Sequence, residues 1–322
     1  MKFLRFLPDE IKLWLDHRGR RIAIVEVTLR TLLRMFLLRP THRNTELIRG
    51  VIGRAQEKYD FALYNYNFLS NHGSMLIGVT DAEHMADIMC FIAGNMAREL
   101  GRPENSNWPG RFWGRRYRPI VVASDAALLD RMQYISANGT KEGLVKHPRK
   151  WPGACANNAL CTGEVDFGLW VHRTYHADLK KKASKRQAVP IEKASTKYPL
   201  HLSKIPPLAH LSDEEYQAEM RDMCDGIASE VALEREKTGR PVLGVRRILE
   251  VHPHSKPTTK KDSPAPFIHC PNPAFHQAFR AAYRAFVSAY REAYVMLHAG
   301  LSGFPFPHGG HPPVKCRMLQ AG

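Results

Sequence analysis

The sequence predicts an α+β fold: a ferredoxin-like antiparallel sheet with packed helices, followed by a mainly helical C-terminal extension. Three observations carry that prediction. Between residues 21 and 137, strand-like alternation and helix-like periodicity run strand, helix, strand, strand, helix, strand, helix, and the first six elements are the ferredoxin-like split order. Hydrophobic residues make up 44% of the 322-residue chain, enough to bury a sizeable core. Past residue 211, the two clearly periodic stretches are both helical.

The stretch RIAIVEVT at 21–28 alternates and is rich in β-branched residues, which predicts a strand. Residues 42–59 carry Leu47, Ile48, Val51, Ile52 and Ala55 at helical spacing. The apolar runs 61–69 and 74–79 predict two strands meeting at a tight corner, where Gly73 should leave room for a larger ring at position 74. Thr80 and Glu83 fit a capping box for a helix over 81–100. A fourth strand is expected at 117–122 and a third helix at 124–137, opened by Ser124 and Asp125.

After Trp170 the texture changes. The run KKKASKR at 180–186 holds five basic residues in seven and is followed by a Pro- and Lys-rich stretch, the composition of an exposed linker or a backbone-gripping arm. The expected organisation is a folded domain over 1–177, a basic, Pro-rich linker over 178–210 and a helical extension over 211–322. Ser212 and Glu215 should start one helix of that extension, and 273–298 another. The second bears Phe275, Phe279, Tyr283, Phe286, Tyr290 and Tyr294 at spacings of three and four, a core seam. Arg280, Arg284 and Arg291 leave a nucleic-acid stacking surface as the alternative.

A net charge of +16 points to an anionic partner, nucleic acid first. The six cysteines include no close pair, the nearest two standing six apart, which suits a reducing cytoplasm. The opening MKFLRFLPDEIKLWL is too short and too charged for a membrane span and lacks a signal-peptide cleavage pattern, so no membrane partner is expected.

Three clusters could carry chemistry. His72, in FLSNHGSMLIG, puts a metal-capable imidazole at the strand corner, and Ser74 stands where a second histidine would complete a pair. Strand alternation sends both side chains to the same side. In DAALLDRMQYISAN, Leu128, Leu129, Met132 and Ile135 share one helical face, while Tyr134 lies opposite with Asp130, Arg131 and Asn138. A phenol near a cation can act as a nucleophile, though an ordinary surface tyrosine reads the same way. In GRFWGRRYRP, Arg111, Arg115, Arg116 and Arg118 alternate with Phe112, Trp113 and Tyr117. Guanidinium groups clamp phosphate and flat rings stack on unpaired bases. The pair His252 and His254 reads as part of a solvated loop.

Together YNFLSNHGSMLIG, FWGRRYRPIVV and RMQYISANGTKEGLVKHPRKWPG resemble the HUH single-tyrosine transposases, specifically the REP-associated tyrosine transposase branch, over roughly residues 20–175. The resemblance implies an HUH nuclease-type domain that nicks single-stranded DNA beside a hairpin through a 5′-phosphotyrosine intermediate. It makes Tyr134 the nucleophile and His72 and Asn138 ligands of a divalent metal, Mg2+ or Mn2+, with Ser74 replacing the second histidine. Single-stranded or hairpin DNA is the implied partner of a monomer or homodimer in a bacterial cytoplasm, nucleoid-associated when bound. The loss at position 74 opens the alternative of a catalytically inactive, domesticated hairpin-binding protein. A general RNA-binding protein is the third reading, because basic and aromatic clusters do not separate RNA from DNA.

Overall fold

The computed structural model describes residues 6–183, 189–258, 266–301, 303, 305–310 and 312. Its elements run β1 (Trp14–Leu15), β2 (Arg21–Arg30), α1 (His42–Tyr59), β3 (Ala62–Phe68), β4 (His72–Val79), α2 (Ala82–Leu100), β5 (Arg118–Val122) and α3 (Asp125–Lys141). They continue with α4 (Asn157–Thr162), β6 (Asp166–Val171), α5 (Arg173–Lys182), β7 (Ser195–Leu200), α6 (Asp213–Thr238), α7 (Val245–Glu250), β8 (Ile268–His269) and α8 (Pro273–His298).

The sheet order β3–β4–β2–β5, every neighbour antiparallel, is the ferredoxin-like order the element sequence predicts. β1 pairs with β2, and β8 extends the sheet beyond β5 as a parallel strand. Each long helix opens on a side-chain acceptor. Thr41 accepts from the Asn44 amide of α1, and Ser124 from the Ala127 amide of α3. For α2 the cap is Asp81 rather than Thr80, because one carboxylate oxygen reaches the amides of both Glu83 and His84. Ser212 and Glu215 form the expected capping box of α6.

Strand alternation divides the sheet into two faces. Ala23, Val25, Val27 and Leu29 of β2 and Met75, Ile77 and Val79 of β4 are buried, in one cluster with the inner faces of α1 and α2. The other face carries polar residues, including Glu26, Thr28, Ser74, Asn65 and Asn67, and α3 lies across it. A second two-stranded sheet, β6–β7, packs on α1. Backbones meet there so closely that a Cβ on Gly50 would stand 2.2 Å from the Leu169 carbonyl, and one on Gly168 would stand 1.9 Å from the Gly50 nitrogen. Only glycine fits such a crossing.

The stretch expected as an exposed linker is, in its described residues, built into the fold. β7 pairs with β6 from Val171↔Ser195 to Asp166↔Leu200, and Leu200 and Ile205 are buried in the main core. A basic composition concealed the strand because β7 shows only one face to the core, so its lysine and threonine remain in water. Of the KKKASKR run, Lys180 to Lys182 end α5, and residues 184–188 lie outside the described residues. The extension packs on the same core through Tyr216, Met220 and Cys224 of α6, Ile268 of β8 and Phe279 of α8. The aromatic stripe of α8 is the expected seam: Phe6 inserts between Phe279, Tyr283 and Phe286 at centroid distances of 5.1–5.6 Å.

Candidate functional site

The site begins with strand register. Arg30 of β2 stands opposite His72 of β4, and Thr28 stands opposite Ser74 on one side and Arg118 of β5 on the other. Position 67 of β3 completes that row beside Ser74. His72 and Ser74 therefore share a face, as alternation requires, and this is the face α3 covers. Two buried amides fasten the helix there. Asn65 donates to the Met132 carbonyl (3.1 Å) and the Ser136 hydroxyl (2.9 Å), and Asn67 donates to the Ile135 carbonyl (2.9 Å). Each bond satisfies a polar group that would otherwise be buried at a cost.

His72 is half-buried, with Nδ1 2.7 Å from Asn71 Oδ1. That oxygen can only accept, so Nδ1 carries the proton and Nε2 keeps its lone pair. Burial, then the charges of Arg30 and Arg34, push the imidazole down to about 4, leaving it neutral at pH 7. Ser74 is only 3% exposed, and its hydroxyl lies 3.3 Å from the Thr28 hydroxyl. Gly73 does not open room for position 74: a Cβ on it would point to the opposite face of the strand, where it would stand 2.1 Å from the Phe68 ring.

Tyr134 is 43% exposed, outside the buried face of Leu128, Met132 and Ile135, as the helical wheel predicts, whereas Leu129, expected on that face, is itself exposed. The Arg131 guanidinium lies 4.4 Å from its ring centroid. Burial and then Glu26 raise the phenol above its ordinary value, against the opposing charges of Arg131 and Arg30. The phenol is thus protonated at neutral pH. Arg30 acts on both groups in the same sense, lowering the His72 imidazole and opposing the rise of the Tyr134 phenol.

Asn138 departs from the expectation. It is buried with the rest of the last turns of α3, from Ile135 to Thr140, rather than open to solvent beside Tyr134. The wheel placed it with Tyr134 on the open side, but a helix wheel does not know which neighbour covers a polar face.

The donor chemistry around His72 does not fit a divalent cation. His72 offers one neutral imidazole, Ser74 a hydroxyl shared with Thr28, and Asn138 an amide, so the set carries no negative charge to offset Mg2+ or Mn2+. Glu26, the carboxylate on this face, is engaged with Arg131 and His269. Among the described residues no group of three or more His, Cys, Asp or Glu side chains could hold a metal ion.

The arginine–aromatic run divides by burial. Phe112 is buried in the main core and meets Trp113 edge-on at 4.9 Å. Trp113 donates its indole N–H to the Ala93 carbonyl of α2 at 2.8 Å, and Tyr117 is half-buried against the same core. The expectation of three base-stacking rings is corrected for Phe112, which has no open face. An irregular loop needs anchors, and its aromatics supply them. Arg111, Arg115 and Arg116 stay exposed, and Arg118 joins the Thr28–Ser74 row. His252 and His254 pack edge-on at 4.9 Å, with His254 also bonded to the Ser106 carbonyl, so that pair is tied to a loop away from Tyr134. A cleft of about 590 Å³ between α2, β6 and α5 is lined by none of these site residues, and its Arg102 and Arg173 are paired with Glu99. Sequence reasoning missed Glu26, Thr28 and Arg30, although their two-residue spacing on a strand already placed them on one face.

No family model matches the chain, and no curated protein does. Among solved structures it is similar to a REP-associated tyrosine transposase bound to a REP hairpin, at 16% identity and a TM-score of 0.37, over 44% of this chain and 81% of that one. It is also similar to a candidate transposase from Deinococcus radiodurans R1, at 18% identity and a TM-score of 0.28, over 35% and 88% of the two chains. Likeness at this level carries no argument about activity. No helix among the described residues is long and apolar enough to cross a membrane.

Proposed function

We propose that this chain is a protein of the REP-associated tyrosine transposase type that binds single-stranded or hairpin DNA across the face shared by Tyr134, Arg30 and Arg118. The observation that carries the reading is the exposed phenol of Tyr134 on α3, the helix that covers the sheet face carrying Arg30 and Arg118. Guanidinium groups grip phosphates without reading sequence, and the exposed Arg111, Arg115 and Arg116 extend the cationic track. In the cutting reaction the phenol oxygen bonds to phosphorus, the phenol loses its proton, and the P–O3′ bond breaks, the departing 3′ oxygen taking up a proton. Because the phenol is raised above its ordinary value, its deprotonation is the demanding part of that step.

A second reading, binding without cutting, is favoured by the uncharged donor set at Ser74. One experiment separates the two. The protein is incubated with a hairpin-bearing single strand and manganese, then run on native and denaturing gels beside Tyr134→Phe. The enzyme reading expects both proteins to bind and the parent alone to form a denaturation-resistant adduct. Binding without any adduct favours the second reading, and a parent that binds no single strand sinks both.

A further inference from the structure

A buried carboxylate links the tyrosine helix to the C-terminal part of the chain. Glu26 points from β2 toward α3 with its side chain only 5% exposed, among strand neighbours Leu76 and Ile120 that offer it no hydrogen bond. A charge so placed is costly unless paired, and Glu26 has two partners on the same oxygen. His269 Nε2 lies 3.1 Å from Oε2, and Arg131 Nη1 lies 3.6 Å from it. Since a carboxylate only accepts, His269 carries its proton on Nε2.

Each member is fixed from a different element. His269 belongs to β8, whose register against β5 is Val121↔Ile268 and Val122↔His269, and its carbonyl accepts the Ala123 amide at 2.9 Å. Arg131 sits on α3, bonded through Nε and Nη2 to Asp130 and lying over the ring of Tyr134. With a side chain 15% exposed, Arg131 has little freedom to move, so the ring that rests on it is held as well.

We infer that His269 and Glu26 are positioning residues for Tyr134: β8 fixes His269, His269 fixes Glu26, Glu26 fixes Arg131, and Arg131 sets the orientation of the phenol. The C-terminal part of the chain thereby becomes a component of the tyrosine site. The inference rests on the proposed function only in taking Tyr134 as the group that the site presents. It assigns His269 and Glu26 no contact with DNA. A cation–π contact at an exposed ring shifts a conformational equilibrium by about two- to five-fold, enough to bias one ring orientation and to be released when any link from β8 to the ring is cut.

The test follows the ring itself in the full chain labelled with 13C-tyrosine, the Tyr134 cross-peak being identified by its loss in Tyr134→Phe. His269→Met, which has no donor, and Glu26→Gln, which has no charge, should move that cross-peak in the direction seen in Arg131→Met. His269→Gln, whose amide can still donate to Glu26, should return it toward the parent position. Tyr175, 54% exposed and outside the network, is the internal control and should stay in place. A Tyr134 cross-peak that is unmoved in folded His269→Met or folded Glu26→Gln overturns the inference. If neither variant folds, Arg131→Lys keeps the charge and loses the flat guanidinium, and an unmoved cross-peak there overturns it equally. DNA plays no part in the measurement, so a parent that binds no single strand defeats the proposed function and leaves this result standing.

Discussion

Replacing Ser74 by histidine would restore the pair of imidazoles that the strand corner lacks, and the packing around it decides the outcome. Ser74 is 3% exposed and its hydroxyl is 3.3 Å from Thr28, and Gly73 points to the other face of the strand, so it gives a larger side chain at 74 no room. An imidazole is far bulkier than a hydroxymethyl group, and overpacking of a buried site costs about 1–3 kcal/mol. Loss of the Ser74–Thr28 hydrogen bond adds about 0.5–1.5 kcal/mol. The total, about 1.5–4.5 kcal/mol, corresponds to a fall in Tm of about 3–9 °C at roughly 2 °C per kcal/mol for a chain of this size. The assay is a thermal melt of Ser74→His and the parent, each with and without manganese. A metal held at about 100 times its Kd would return about 2.7 kcal/mol, so a created site reads as recovery of about 5 °C on adding the ion. The expectation is a lower Tm without such recovery. A variant that melts at the parent temperature, or that manganese restores to it, refutes the packing argument and revives a metal pair at positions 72 and 74.

Other consequences are equally direct. Changing Arg111 and Arg115 to alanine should lower the salt dependence of single-strand binding by about 0.7 slope units for each phosphate that the two guanidinium groups neutralise; an unchanged slope in a titration against salt would remove them from the interface. Gly50→Ala places a Cβ 2.2 Å from the Leu169 backbone and should cost about 3 kcal/mol or more. Gly226→Ala, with nothing within 4 Å, should stabilise α6 by about 0.5–1 kcal/mol, and a denaturant titration of both glycine variants beside the parent reads the two effects. Asp81→Ala removes the cap of α2 at a cost of about 1 kcal/mol. Burial raises the Asp81 carboxyl, but bonds from the His84 amide, the Thr80 hydroxyl and the Glu83 amide outweigh it and leave the group lowered. Its contribution is therefore complete above the unfolded value of about 3.9 and is lost as pH falls through the folded one, so parent and variant should converge in acid.

The helices, the central strands and their split order were legible in the chain because each depends on local periodicity. Leu47 to Ala55 repeat at helical spacing, and RIAIVEVT alternates, whatever packs on them. Alternation also put His72 and Ser74 on one face, and the wheel put Tyr134 on the open side of its helix. Tertiary structure decided everything that depends on a partner distant in sequence. β7 is a strand only because β6 pairs with it, and β8 is a strand of two residues laid down against β5. Phe112 and Trp113 have the composition of a stacking platform, but whether a ring meets a base or a protein core depends on what folds over it. Asn138 lies with the polar residues on the wheel and is buried in space. Glu26, separated by 243 residues from His269, joins it and Arg131 in one buried group. A local pattern fixes the direction in which a side chain leaves its own element, because backbone geometry repeats over a few residues. What that side chain meets is set by packing between elements far apart in the chain, and no local period encodes it.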